Sequence, residues 1–233
     1  FQNGVSNVPI LKSVLPKLQI LEGMVPFNVS MQDEGHFHQG TEGALYVKCF
    51  QQQAWLSTQF EHAHLPIEFS TDMLAVQWAK ILLNLNNAVN ALSGQPLQKQ
   101  LSNRAYRQCL AMAQKETLKL LKLAKIKPAQ LTAVPAGMIP SVLNLPNVIF
   151  KIISRKMLAI DPLARSSMQD DLSAGKHTEI DWINGEVIRL AEQLGQTAPI
   201  NSKLVTLIKN AEQQEHYTPI SSQDLKRHLL ASK

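Results

Sequence analysis

The sequence predicts a β-rich segment over residues 1–70 followed by an all-α domain over 71–233. Short alternating apolar stretches parted by Gly-containing turns fill the first segment, which suggests antiparallel strands and hairpins. From Ser70-Thr71-Asp72 onward every long stretch carries helical apolar spacing, closed by Gly or Pro. A chain of 233 residues, 45% hydrophobic and 18% charged, can bury a substantial core as an ordinary globular protein.

Phe1-Gln2 reads as the tail of a strand that stops at an Asn3-Gly4 turn. Ser6 then caps a helix with Val8, Ile10, Leu11, Val14 and Leu15 at helical spacing. The chain is therefore expected to begin inside a strand-turn-helix unit, as a piece of a longer protein. Strands are expected at Leu18–Leu21, Val25–Met31, Ala44–Val47 and Ile67–Phe69. Thr71 is placed to cap the next helix, with Asp72 suiting its positive end, and this helix runs about 21 residues to Gly94 and Pro96, roughly 30 Å. Further helices are expected from Ser102 toward Lys125, over Asn147–Ala159, Thr178–Leu194 and Ser202–Gln214, and from Ser221 or Ser222 to the end. Pro128–Pro146, with four prolines, reads as loop or broken helix.

The Met73–Leu92 run is long enough for a bilayer, but Lys80 and five Gln or Asn side chains make insertion costly. It is read as a buried helix of a protein with no membrane span. Only Cys49 and Cys109 occur, and no basic-then-apolar stretch opens the chain, which points to a reducing, cytoplasmic compartment. The net charge of +5 is uneven: between Lys99 and Lys156 Glu116 is the only acid. No aromatic interleaving accompanies these cations, so the expectation is a solvated face near an anionic ligand, and no nucleic acid.

Lys80 is the only charged side chain between Asp72 and Lys99, on a helix apolar on most sides. A buried ammonium is costly, and desolvation lowers its pKa toward the range of a proton donor; the plainer reading is a lysine reaching solvent from a helix edge. Asn84 and Asn87 project within roughly 60° of Lys80 and form one polar stripe, whereas Asn86 and Asn90 point elsewhere. A second cluster joins Ser166–Asp171 to His177–Gly185. Within it Glu179 opens a helix, Thr178 and Asp181 resemble a capping box, and Gly185 hints at close approach of another backbone. His36/His38 and His62/His64 would each share a strand face, but no third ligand stands at a recognised spacing, so no metal is expected.

Gln2-Asn3-Gly4, Trp78–Asn84, Ser167-Met168-Gln169-Asp170 and His177–Asp181 with Ile183-Asn184-Gly185 together resemble the ketopantoate reductase (2-dehydropantoate 2-reductase) family. The pieces stand in the family's order across nearly the whole chain. The resemblance implies that residues 1–70 are the end of a Rossmann-type NADP-binding domain, whose G-x-G-x-x-G is absent here, and that 71–233 is an all-α substrate domain similar to the C-terminal domain of 6-phosphogluconate dehydrogenases. It implies NADPH-dependent reduction of 2-dehydropantoate to pantoate, toward pantothenate and coenzyme A, with this piece alone inactive. Lys80 would be the proton donor. Asn84, Asn87, Ser167 and Glu179 would bind the substrate, and Asn3 with Glu179 would meet the cofactor. The family's second asparagine, four residues after the first, is Ala88 here; Asn87 would replace it through a local helix bulge. Alternatives are a related reductase of another 2-oxo acid and a non-catalytic helical module with a basic face for an acidic partner. A homodimer is the expected assembly.

Overall fold

The structure, a computed structural model, describes residues 1–27, 29–39, 43–154, 163–215 and 217–232. Helix α1, Asn7–Val14, follows a bend at Asn3–Ser6. Five short strands come before or around one further helix: β1 Gly23–Met24, β2 Val29–Asp33, β3 His36–Gln39, β4 Leu45–Lys48, α2 Gln53–His62 and β5 Ile67–Ser70. β2 and β3 form an antiparallel hairpin, and β1 pairs antiparallel with β4. β4 and β5 are parallel, Leu45 opposite Ile67 through Lys48 opposite Ser70, because α2 carries the chain back across between them. The antiparallel pairing expected before residue 48 is present in β1–β4 and β2–β3, and the parallel partner is β5, whose direction the sequence left open. The crossover also takes His62 into the last turn of α2, so His62 and His64 share no strand face. Leu18–Leu21 forms no strand; the pairing falls on Gly23–Met24 instead.

The helical part contains α3 Met73–Asn84, α4 Asn86–Ser93, α5 Leu97–Ser102, α6 Arg104–Leu123, α7 Ile139–Leu143, α8 Asn147–Ile153, α9 Ser167–Ser173, α10 Ile180–Gln193, α11 Pro199–Glu212 and α12 Ser222–Leu230. The cap of α3 is Asp72 rather than Thr71: its carboxylate accepts the Ala75 amide at 3.0 Å, a role an acid fills best at the positive helix end. Asn103, not Ser102, caps α6, accepting from Ala105 N at 2.9 Å, while Ser102 closes α5. Ser221 caps α12 as expected. The helix expected to 159 runs to Ile153 and ends at a turn at Ser154; residues 155–159 lie outside the described residues.

Helix α6 is the long axis, its buried Tyr106, Cys109, Leu110, Ala113, Thr117, Leu120 and Leu121 recurring at three- and four-residue steps. Around it α4, α7, α10, α11 and α12 pack their apolar faces, with Leu85, Val89, Phe150, Ile183, Leu204 and Leu225 enclosed. Burial pushes the Cys109 thiol up to about 12, so it is an inert packing group. No helix among the described residues is long and apolar enough to cross a membrane.

Arg107 departs from the basic face that its position in the sequence implied. It is fully buried and donates to the Leu143 carbonyl at 3.0 Å, to those of Leu101 and Leu145 at 2.8 Å each, and to Asn147 Oδ1 at 3.0 Å. Its guanidinium also lies 4.0 Å from the Phe150 ring centroid. One side chain thus satisfies the loose carbonyl ends of α5 and α7 and the start of α8. Arg107→Met leaves those carbonyls without donors inside the core, and the expected loss is at least about 3 kcal/mol of stability, read from urea unfolding. A loss below about 1 kcal/mol would show that the carbonyls find other donors.

Candidate active site

Lys80 and Asn84 lie on one face of α3, and Asn87 lies just past a break at Leu85, where the ladder is interrupted between α3 and α4. Ser167 is the first residue of α9, and Glu179 is the residue before α10. Asn3 sits in the bend before α1. All of these, drawn from five parts of the chain, line one open cleft of about 790 Å³. The expected single helix over 73–92 is therefore two helices. Asn87, three rather than four residues after Asn84, lines the same cleft as Lys80 and Asn84.

A relay of amides crosses the cleft. Asn84 Nδ2 donates to Asn3 Oδ1 at 3.1 Å, and Asn3 Nδ2 donates to Glu179 Oε2 at 2.8 Å. Asn7 Nδ2 fixes the Asn3 carbonyl at 2.6 Å. Glu179 does not cap α10 with its side chain; Thr178 Oγ1 accepts the Ile180 amide at 3.3 Å, and Asp181 pairs with Lys209 at 2.8 Å rather than closing a capping box. The Glu179 carboxylate is thereby free to face the cleft. Gly185 meets no foreign backbone, its nearest neighbours being side-chain atoms of Arg189 and Asp181.

Lys80 is half-buried, and its Nζ donates to the Pro26 carbonyl at 3.4 Å. Desolvation, with no carboxylate among the described residues answering it, holds its pKa below the ordinary lysine range. A desolvated ammonium thus lines the same cleft as an amide relay ending in a carboxylate. Such a set can bind a polar anion and protonate an oxygen on it.

Glu186 was not legible as a site residue. It is buried, and it accepts from Val5 N at 3.3 Å, Ser6 N at 3.1 Å and Ser6 Oγ at 2.6 Å, while Arg189 pairs with it at 3.0 Å. Ser6 therefore spends its hydroxyl on Glu186 instead of capping α1. At Gly4 φ is +87°, and a Cβ there would stand 3.0 Å from Glu186 Oε1 and from the Trp182 carbonyl, so only glycine fits. The available signal was a carboxylate three residues after Ile183, on the apolar face of α10.

The family described as ketopantoate reductase PanE/ApbA C terminal matches residues 72–212, and the chain belongs to it. Curated relatives include the 2-dehydropantoate 2-reductase of Archaeoglobus fulgidus, 24% identical over 91% of this chain and 66% of its own length. That of Vibrio cholerae is 28% identical over 79% of this chain and 55% of its own length. The chain thus spans less than two thirds of the length of these relatives. Among solved structures, a PanE/ApbA family ketopantoate reductase from Ralstonia eutropha superposes with a TM-score of 0.75 at 26% identity, covering 93% of this chain and 67% of that one. D-mandelate dehydrogenase in complex with NADH shares the fold at 19% identity, TM-score 0.71, over 91% of this chain and 74% of its own.

Two outcomes follow from this geometry. Because the folded pKa of Lys80 lies below the unfolded value, its charge penalises folding fully below the folded pKa, and the penalty fades as pH rises to the unfolded value. Lys80→Met should therefore raise the melting temperature at pH 7, with the gain shrinking toward pH 10.5; an unchanged or lower melting temperature at pH 7 would overturn the desolvation account. Glu186→Ala should cost roughly 2–4 kcal/mol and speed hydrogen exchange at the Val5 and Ser6 amides; unaltered exchange there would show that the carboxylate does not hold the bend.

Proposed function

We propose that this cleft binds 2-dehydropantoate and serves its NADPH-dependent reduction to pantoate, a step toward pantothenate and coenzyme A. The observation that carries the reading is the Lys80 ammonium, half-buried and without a carboxylate partner among the described residues, beside the Asn84–Asn3–Glu179 relay. Family membership supplies the reaction class, and the curated relatives bear the name 2-dehydropantoate 2-reductase. Residues 1–70 are read as the end of an NADP-binding Rossmann-type domain, in keeping with the parallel β4–α2–β5 unit, and 71–233 as the substrate domain.

The residues present fit only the reacting end of a dinucleotide: Asn3 and Glu179 stand at the cleft, but the sequence has no G-x-G-x-x-G to hold a pyrophosphate. When bound, the cofactor supplies a hydride. The chain's own groups do the rest. Lys80 gives its proton to the substrate's ketone oxygen as charge develops there, and while positive it stabilises that charge. Asn84 and Asn87 orient the same end of the molecule, Ser167 holds its carboxylate, and Glu179 accepts from its hydroxyl. Without a complete nucleotide-binding domain the chain should turn nothing over. The setting is cytoplasmic and the ligand a small 2-oxo acid.

A second reading keeps the reaction and changes the acid. Ala88 stands where the family's second asparagine is expected, and it is Asn87 that lines the cleft, which favours an acid with a different branched end.

The test is NADPH oxidation with 2-dehydropantoate by the chain joined to a complete nucleotide-binding domain, with Lys80→Ala beside it. Turnover in the parent and a loss of roughly 10²–10⁴-fold in the variant are expected. Parent turnover should fall as pH rises through the depressed Lys80 pKa, since the proton donor is then lost. A folded, NADPH-binding parent that turns over only another 2-oxo acid establishes the second reading; one inert to all of them overturns both.

A further inference from the structure

Asn90 is fully buried on α4 and does not line the cleft, yet both ends of its side-chain amide are engaged. Nδ2 donates to the Gln95 carbonyl at 2.8 Å, in the turn after α4, and Oδ1 accepts the Ser166 amide at 3.0 Å. Ser166 caps α9, and Ser167 beside it lines the cleft. Asn87, one turn before Asn90 on α4, lines the cleft too, and its carbonyl accepts Ser166 Oγ at 3.5 Å. Two cleft residues from separate helices are thus tied together through one buried side chain. Only a carboxamide of this length serves both contacts: an ionised aspartate has no donor for Gln95, and leucine has neither group.

The local sequence offers Ser166 a different partner. Ser166-Ser167-Met168-Gln169 has the pattern of a capping box, in which the side chain of the third helical residue reaches back to the amide of the cap. Half of that box is present, for Ser166 Oγ accepts the Gln169 amide at 3.2 Å. The other half is not formed. Asn90 holds the Ser166 amide instead, and the buried Gln169 Oε1 has no hydrogen-bond partner among the described residues. Leaving an amide oxygen buried without a donor is costly, so the tie to α4 goes beyond what capping α9 requires. What Asn90 adds is a fixed place for the start of α9 against α4.

We infer that Asn90 is a positioning residue of the cleft: it sets the spacing of Ser167 from Asn87, and with it the grip on the substrate's carboxylate end. That grip is the one assigned to Ser167 under the reductase reading, on which this role rests. When leucine replaces Asn90, Gln169 completes the capping box, so α9 stays capped while its start is released from α4. The carboxylate is then held less well in the ground state and the transition state alike, which raises KM and leaves kcat in place.

The test uses the chain joined to a complete nucleotide-binding domain, assayed with NADPH and 2-dehydropantoate. Asn90→Leu should raise KM for the oxo acid at least about tenfold while kcat stays within about threefold of the parent. In a Ser167→Ala background the same substitution should raise KM little further, because the residue it positions is gone. A general weakening of the fold would instead lower the active fraction, and so kcat, at constant KM. That result, or effects of Asn90→Leu and Ser167→Ala that simply add, would overturn the role. So would loss of the fold in both Asn90→Leu and the smaller Asn90→Ala, which would make the residue structural only. Hydrogen exchange at the Ser166 amide needs no turnover: it should be as slow in Gln169→Leu as in the parent, and faster in Asn90→Leu/Gln169→Leu. Faster exchange in Gln169→Leu alone would show that Asn90 does not hold that amide. A parent inert to 2-oxo acids overturns the reductase reading and this role with it, whereas an active parent whose KM ignores Asn90→Leu overturns the role alone.

Discussion

Burying a helix that carries polar side chains on several sides is the constraint around which this molecule is arranged. Over α3 and α4 the apolar residues Trp78, Ile81, Leu82, Leu85, Val89 and Leu92 are almost wholly enclosed, yet Lys80, Asn84, Asn86, Asn87 and Asn90 share the same stretch. Each amide that goes inside must be answered, and the answers recruit distant chain. Asn86 exchanges two hydrogen bonds with Gln100 of α5, at 3.3 and 3.1 Å. Asn90 donates to the Gln95 carbonyl at 2.8 Å and accepts the Ser166 amide at 3.0 Å, which sets the start of α9. Asn84 reaches the N-terminal bend through Asn3. Lys80 and Asn87 keep the cleft as their outlet. The cleft is thus the place where this helix pair is left open to solvent.

The same economy operates elsewhere in the core. Arg107 answers three carbonyls with one guanidinium, and Glu116 answers the start of α11, accepting the Ile200 and Asn201 amides at 2.9 Å each. In each case a single charged side chain on α6 satisfies backbone groups at a helix end that would otherwise face apolar surroundings. That is why the cluster of cations between Lys99 and Lys156 is less uniform than its sequence suggests: Arg107 is a structural plug, whereas Lys122, Lys125 and Lys127 remain at the surface.

Much of this was readable in advance where the chemistry is local. The helical periodicity, the change of character at residue 70 and the polar stripe on α3 all follow from side-chain pattern. So does the gathering of Asn3, Lys80, Asn84, Asn87, Ser167 and Glu179, through the motif order that resembles a known family. What was not readable depends on contacts between distant parts. Helix α2 buries no residue, so it leaves no apolar stripe to announce the crossover that makes β4 and β5 parallel. The break at Leu85 occurs without Pro or Gly, at φ −56° and ψ −20°, a conformation hardly different from helix. Thr71 and Asp72, or Ser102 and Asn103, are equally good caps by type; only the geometry selects the second of each pair. Glu186 leaves no local signal beyond a carboxylate on the apolar face of α10, because the Val5 and Ser6 amides that it answers stand at the other end of the chain.

The anchorage of that bend bears on how the molecule comes into being. Ser6 and Glu186 are 180 residues apart in the chain, so the bend at Gly4 leaves the ribosome long before its binding partner exists. Until α10 is made, the Val5 and Ser6 amides have only water, and Asn3 has no Glu179 to meet. Helices α3 to α9 can begin to pack on nearer contacts in the meantime, but the wall of the cleft that Asn3 supplies waits on closing a very long loop. A nascent chain interrupted before residue 186 would therefore lack α11 and α12 from its core as well as the anchor of the bend at Gly4, and would be compact in part and blank at its site.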